Sequence, residues 1–478
     1  MKQQILIFCA VLGMFFFSCK KNEPINPSLP HTKIFLDKIN LNGNLRLGTN
    51  ITIYWTGYSS SGYIKGFEIS FDKLSWHYTK NTDSTFLFSL PNGNDSTDIS
   101  LYVRAIDNYG QKDPDPAKLI IPVKNSPPKA SFDRAKALAD TVWTIFSVDW
   151  TVHDPDGDST IDSVFIKINN GNWYALNPLV NFLTFYPVNV TGSGAMNASL
   201  YKNLTPVLLN NQINGLVLNG QNKLYIRAKD NGGAYSPIDS TAPFYVKGKT
   251  SDLLLINANS SIDSKSDPLR AIVGTVYGKY DYINYIENGQ KYQPQYWDPT
   301  LDFLLGLYNK VFIYTDGLMT NGKLVLEYAS NALSQYLNKG GKLMVSIPLP
   351  VNMDPNSSIY NFSPADSVSS SSGQARFYQD SLAIPDPVNA AGYQSLENST
   401  FILGFEPIYT KPDAKVMYTG EISKIYNWKG PDVICAKTIN TNGKTNQIFW
   451  AIDVSLLNGK PAALNDFFNK AFLNEFNW

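Results

Sequence analysis

One ten-residue motif occurs twice in this chain. Leu101-Tyr-Val-Arg-Ala-Ile-Asp-Asn-Tyr-Gly110 returns as Leu224-Tyr-Ile-Arg-Ala-Lys-Asp-Asn-Gly-Gly233, displaced by 123 positions. Trp55-Thr56 returns as Trp150-Thr151, and Trp76 returns as Trp173. The chain therefore carries two copies of one domain. In the motif, Tyr102 and Arg104 point one way while Val103 and Ala105 point into a core, and Asp107-Asn-x-Gly supplies a turn. Runs such as Ile51-Thr-Ile-Tyr-Trp55, Gly66-Phe-Glu-Ile-Ser-Phe71 and Thr85-Phe-Leu-Phe-Ser89 share the period of two, which reads as an antiparallel β-sandwich. The offset between copies grows from about 95 to 97 and then to 123, so the second copy holds about 26 extra residues between Trp173 and Leu224. That insertion, which includes Asn197 to Leu209, is expected to form a short helix and a loop on one sandwich edge.

After Lys247-Gly-Lys-Thr-Ser-Asp252 the pattern changes. Leu253-Leu-Leu-Ile-Asn257 is continuously apolar, as in a strand buried on both faces of a parallel sheet. Val311 to Thr315 and Lys342 to Ile347 repeat the type. Lys323 to Lys339 between them has helical spacing closed by Gly340-Gly341, a strand, helix, strand unit. Gln447 to Asp453 and Ala462 to Phe476 supply a last strand and an amphipathic helix. The expected fold class is multidomain: two all-β antiparallel sandwiches (33–125 and 126–248), then an α/β three-layer domain with a mostly parallel sheet (250–478). A length of 478 residues fits about three domains of roughly 150 residues each.

The N-terminus predicts location. Lys2, the apolar run Ile5 to Phe17, and Ser18-Cys19 form an export signal too short to span a membrane. It resembles a bacterial lipoprotein signal, with Phe16 in place of the usual leucine. The resemblance implies cleavage after Ser18 (signal peptide 1–18), acylation of Cys19 with fatty acids such as palmitate, and an outer-membrane lipoprotein of a Gram-negative envelope, surface-exposed in one orientation. An ordinary secretory signal is the alternative. Residues 19–32, with three prolines, read as a tether. Lys20-Lys21 is the longest basic block, and the mature chain is close to neutral, which argues against nucleic acid as a partner. With Cys9 in the leader and Cys19 acylated, Cys435 has no partner for an internal disulfide.

The motif Tyr-Val-Arg-Ala-Ile-Asp-Asn-Tyr-Gly resembles the penultimate strand and turn of fibronectin type III-like and immunoglobulin-like modules of bacterial surface proteins, over about residues 33 to 248. Leu-Leu-Ile-Asn257, Ile-Tyr-Thr-Asp-Gly317, Leu-Asn-Lys-Gly-Gly-Lys-Leu-Met-Val-Ser346 and Phe-Trp-Ala-Ile-Asp453 resemble the class I glutamine amidotransferase-like fold, a flavodoxin-type domain, over about 250 to 478. Working members of that class place a cysteine on a sharp turn and deprotonate it with a histidine. Here Ser346 is followed by Ile-Pro-Leu-Pro350, and His31, His77 and His153 all lie outside the domain. No catalytic residue is therefore assigned. Cys435 sits in an apolar run and reads as core.

Candidate ligand-binding residues are Asn257, Asp316 and Asp453 at strand ends, where open α/β sheets bind ligands, with Tyr296, Trp297 and Asp298 from a loop and Trp428 from Tyr426-Asn-Trp428. Helix capping is the competing role for the carboxylates, and domain packing for the aromatics. No glycine-rich phosphate cradle follows Leu253 to Asn257, which argues against a nucleotide. In His153-Asp-Pro-Asp-Gly-Asp158, the residues Asp154, Asp156 and Asp158 offer calcium chemistry, and the same sequence also makes an ordinary β-turn; no other cofactor is expected. Asp-Ser/Thr triplets such as Asp83-Ser-Thr, Asp239-Ser-Thr and Asp366-Ser-Val resemble an O-glycosylation signal of some Gram-negative envelopes. Pro348 to Thr400 reads as a long loop with Ser369 to Ser372 at its tip. The expected role is a non-catalytic binding or assembly module, held at the membrane by its lipid, with a glycan or an envelope protein as ligand. A carboxylate-dependent hydrolase acting on saccharides and a structural spacer are the rivals.

Overall fold

The computed structural model describes residues 27–36, 46–88, 90, 96–261, 266–286, 295–296 and 298–477. Cys19 and Trp297 lie outside the described residues. The chain forms two compact units. The first comprises the described residues up to Pro128 with His153–Asp162 and Lys229–Tyr235; the second comprises Lys129–Val152, Ser163–Ala228 and Ser236–Trp478.

Among the described residues the first repeat forms a sandwich of seven antiparallel strands. His31–Leu36, Asn50–Tyr58 and Asp83–Leu87 make one sheet, and His77–Thr79, Ile64–Ser70, Ser96–Asp107 and Ala117–Lys124 make the other, each in that order. Alternation sets which side chains face inward. Ile51, Ile53 and Trp55 from one sheet meet Phe67, Leu101, Val103 and Ala105 from the other, all buried. The outward residues of the motif also have partners. Arg104 lies over the Trp76 ring at 4.0 Å, and in the second repeat Arg227 lies over Trp173 at 4.5 Å.

The insertion of the second repeat is strand, not helix. Gly194–Lys202 pairs with Phe182–Pro187 on one side and with Val207–Leu208 and Ile213–Leu218 on the other. Its alternation, with Ala198 and Leu200 inward, is a period of two that suits a sheet, and Asn203 at φ 68° closes the hairpin. These strands have a packing role. Tyr201 and Tyr186 meet Phe303 of the C-terminal region at 4.5 and 5.8 Å between ring centres, and the Ser147 and Thr300 hydroxyls are 2.5 Å apart.

From Leu253 onward the chain builds a nine-stranded mixed sheet. Five strands are parallel: β1 (Leu253–Asn257), β2 (Asp281–Asn284), β3 (Lys310–Tyr314), β4 (Lys342–Ser346) and β5 (Thr445–Trp450), in the spatial order 2-1-3-4-5. The sheet continues beyond β5 with four antiparallel strands, Val433–Ile439, Lys415–Gly420, Leu382–Pro385 and Leu396–Glu397. It is therefore mixed, where a mostly parallel sheet was expected. The added strands come largely from the segment after Pro348, whose short apolar runs are each too brief to stand out from a loop.

Helices cover both faces of this sheet. Leu254, Ile256, Val311, Ile313, Leu343 and Val345 share a core with helices α2 (Pro299–Leu305) and α3 (Ser330–Asn338). Leu253, Leu255, Phe312, Tyr314 and Met344 share the opposite core with α1 (Pro268–Val276) and α4 (Pro461–Lys470). All five residues of β1 are buried, which is why its sequence shows no polar alternation. The expected single helix from Lys323 to Lys339 is broken into Val325–Tyr328 and α3, and Gly340 at φ 88° stops it.

Candidate functional site

In an open parallel sheet of order 2-1-3-4-5 the strand order reverses between β1 and β3, and the crevice at their carboxyl ends is where a ligand fits. A cleft of about 740 Å³ opens there. Its wall combines Tyr285, Tyr296 and Tyr328 with the amide and hydroxyl groups of Asn259, Gln295 and Asn321, together with Ser260. Among the described residues, none lining it is an acid, a lysine, an arginine or a histidine. Tyr285 and Tyr296 stack at 4.5 Å with ring planes 7° apart. Tyr296 is buried, and burial raises its phenol above the ordinary range.

Asp316, two residues beyond β3, stands next to this cleft. Its Oδ2 accepts from the Ser260 backbone N at 2.9 Å and hydroxyl at 2.5 Å. Its Oδ1 is buried without a hydrogen-bond partner. Of the six expected residues that are described, Tyr296 lines the cleft, and Asp316 adjoins it through Ser260.

The other four described candidates, Asn257, Asp298, Asp453 and Trp428, are engaged in the frame. Asn257 is fully buried, donates to Asp267 Oδ2 at 3.0 Å and accepts from the Asn259 backbone N at 3.0 Å. Asp267 is the centre of this network, and sequence reasoning missed it. Its Oδ1 caps α1 through the Leu269 and Arg270 backbone N at 3.0 and 3.1 Å. Its Oδ2 accepts from Asn257, from Tyr282 at 2.8 Å and from the Tyr314 hydroxyl. Asp267-Pro268, an N-cap followed by proline, was the signal available for it. Asp298 caps α2 through the Thr300 backbone N at 2.8 Å, and burial pushes its carboxyl up to about 6. Asp453 caps the turn Val454–Leu456; burial raises its carboxyl, with the Asp316 and Asp267 charges adding to the effect. Trp428 is buried in the core shared with α4, away from the cleft. A Cβ on Gly430 would sit 2.2 Å from its indole, so that neighbour has to be glycine.

Neither Ser346 nor Cys435 is placed as a nucleophile. Ser346 is fully buried, donating to the Ile452 carbonyl and accepting from the Val454 backbone N, each at 3.0 Å. Cys435 is buried, and burial raises its thiol well above the ordinary range, the reverse of what an attacking thiolate needs. In the expected calcium turn, Asp158 is exposed; its Oδ1 accepts from the Asp154 backbone N at 3.0 Å and pairs with His153 Nδ1 at 2.8 Å. Among the described residues no three His, Cys, Asp or Glu side chains converge as a ready metal site. Nor, among them, is any helix long and apolar enough to cross a membrane.

No family model matches the chain, and no curated protein matches it. Among solved structures it is similar to the fibronectin(III)-like modules of Clostridium thermocellum CbhA, at 14% identity over 45% of this chain and 94% of that one, TM-score 0.18. A two-domain fibronectin type III segment of chicken tenascin gives 12%, 46%, 98% and 0.20 in the same order. The Bacteroides ovatus mixed-linkage glucan utilization locus protein SGBP-B, in complex with a mixed-linkage heptasaccharide, gives 10%, 49%, 52% and 0.15, so this chain spans about half of it. TM-scores this low carry no weight for function, and the sandwich assignment rests on the strand order itself.

Proposed function

We propose that the chain is a lipid-anchored protein of the cell envelope, acylated at Cys19 and held in the outer membrane. The sandwiches at 33–125 and 126–248 serve as its stem, and the region 250–478, read as a three-layer α/β domain, recognises a glycan without transforming it. The observation that carries this reading is the cleft at the carboxyl ends of β1 and β3. Sugar rings lay their C–H faces on aromatic side chains and exchange hydrogen bonds with amides and hydroxyls, and the wall of Tyr285, Tyr296, Asn259, Gln295 and Asn321 offers both. Its volume of about 740 Å³ suits a short oligosaccharide. Among the described residues the lining carries no charged side chain, which favours a neutral saccharide over an acidic one.

A saccharide hydrolase is the second reading, favoured by Asp316 beside the cleft. The test is a glycan array probed with the full chain, alongside Tyr285→Ala and Asp316→Asn. Recognition predicts binding of neutral oligosaccharides that Tyr285→Ala abolishes, with no product released by the unaltered chain. Release of reducing ends that stops with Asp316→Asn would replace recognition by hydrolysis.

A further inference from the structure

The turn after Trp150 carries carboxylates where its counterpart in the first repeat carries hydroxyls. With the offset of 95 that relates Trp55 to Trp150, Asp154 and Asp156 correspond to Ser59 and Ser61. The same turn of the same sandwich is thus closed once without acids, so forming the turn does not require them.

The acids are also buried. Asp154 and Asp230 are fully buried, Asp156 is 8% exposed, and Asn125, just past the strand Ala117–Lys124, is 6% exposed. Asn125 Nδ2 donates to Asp230 Oδ2 at 2.6 Å, and the Ser126 backbone N donates to Asp156 Oδ2 at 2.8 Å. Asp154 Oδ1 accepts from the Asp156 backbone N at 2.8 Å. Two buried oxygens are left without a hydrogen-bond partner, Asp154 Oδ2 and Asn125 Oδ1. The nearby Thr160 hydroxyl is donated to the Gly157 carbonyl at 2.7 Å. No lysine, arginine or histidine forms an ion pair with Asp154, Asp156 or Asp230 among the described residues. Buried carboxylates without a countercharge are costly.

We infer that Asp154, Asp230 and the Asn125 side-chain carbonyl oxygen, with Asp156 at their side, form a calcium site that ties the end of the first repeat to two loops of the second. Oxygen-only donors mixing carboxylate with amide are what Ca2+ takes, and its flexible geometry tolerates ligands from three separate segments. The three carboxylates do not converge on one point, so the first shell is Asp154, Asp230 and the Asn125 amide, completed by main-chain carbonyls or water. Asp230 Oδ1 also accepts from the Ala234 backbone N at 2.8 Å, so each ligand would bind calcium through a remaining lone pair, whereas Asp158, the outermost acid of the turn, is exposed and faces His153, which leaves it outside the first shell.

The test is calcium chloride titrated into the metal-free full chain, read by calorimetry and by thermal unfolding. The expected result is one saturable site with Kd of about 10⁻⁴ to 10⁻³ M, the range of extracellular modules, and a rise in melting temperature over the same concentrations. Asp154→Asn should weaken binding at least tenfold, while Asp158→Asn leaves it unchanged. Asn125→Ala, which alters no charge, should weaken it as well and serves if Asp154→Asn does not fold. Absence of heat and of any melting shift up to about 10 mM calcium, well above that range, would overturn the site, as would an equal loss from Asp158→Asn.

Discussion

Glu406 is a buried acid whose replacement should stabilise the protein in a pH-dependent way. It is 1% exposed, its backbone N donates to the Leu349 carbonyl at 2.9 Å, and its Oε2 has no partner. The indole of Trp428, itself 2% exposed, approaches the carboxyl, but its nitrogen makes no hydrogen bond of normal geometry. Burial pushes the carboxyl from 4.5 up to about 7. At about 1.36 kcal/mol per pH unit, that gap is worth about 3 kcal/mol. The sign follows from proton counting. Below about pH 4.5 the group is protonated folded and unfolded, and stability is unaffected. Between 4.5 and 7 the folded chain keeps a proton that the unfolded chain releases, so stability falls as pH rises, and above 7 the full cost is present. Glu406→Gln removes the charge at nearly constant volume. Hydrogen exchange of the amides of residues 402–410, measured at pH 5 and pH 8, isolates this region from the rest of a multidomain chain. The variant should gain about 2–3 kcal/mol of protection at pH 8 and a small fraction of that at pH 5. An equal gain at both values, or none at pH 8, would refute a buried charge as the cause.

Asp267→Ala should cost about 3 kcal/mol or more in urea unfolding of the C-terminal region, since it removes an N-cap and the carboxylate that accepts from Tyr314, Tyr282 and Asn257. Phe303→Ala and Tyr201→Ala should each destabilise the second unit by about 2 kcal/mol, with a coupling of about 1 kcal/mol in a double-mutant cycle; additive losses would show that the inserted hairpin does not dock through these rings. Intact mass of protein extracted from membranes should show loss of residues 1–18 and acyl chains on Cys19, and added hexoses if the Asp-Ser/Thr triplets are acceptors. An unmodified Cys19 would leave an ordinary secreted protein.

The sandwich of the first repeat and the parallel strands of the C-terminal sheet were legible because their burial pattern is strong and local: strict alternation in Leu101 to Asp107, and unbroken apolar character in β1, β3 and β4. The inserted hairpin was not. Leu200, Tyr201 and Leu204 fit a helical spacing as well as a strand, and only pairing with Phe182–Pro187 decides between them. The antiparallel half of the mixed sheet was hidden for a related reason, since each strand is short and its partners lie far off in sequence. Asn257, Asp316 and Asp453 all fall at or just beyond strand ends of the sheet, yet a strand end does not say whether a carboxylate faces a ligand or a helix terminus. Asp298 and Asp453 proved to be caps, and Asp230 joined Asn125 across 105 residues, a separation that spacing rules do not see.

The most direct measurement is titration calorimetry of the full chain with the neutral oligosaccharide that binds best on the array, repeated with Tyr285→Ala and with Trp428→Phe as a core control. Saturable binding that Tyr285→Ala eliminates and Trp428→Phe preserves is the predicted result. Binding that survives Tyr285→Ala would place recognition elsewhere and contradict the cleft at the β1 and β3 ends as the functional site.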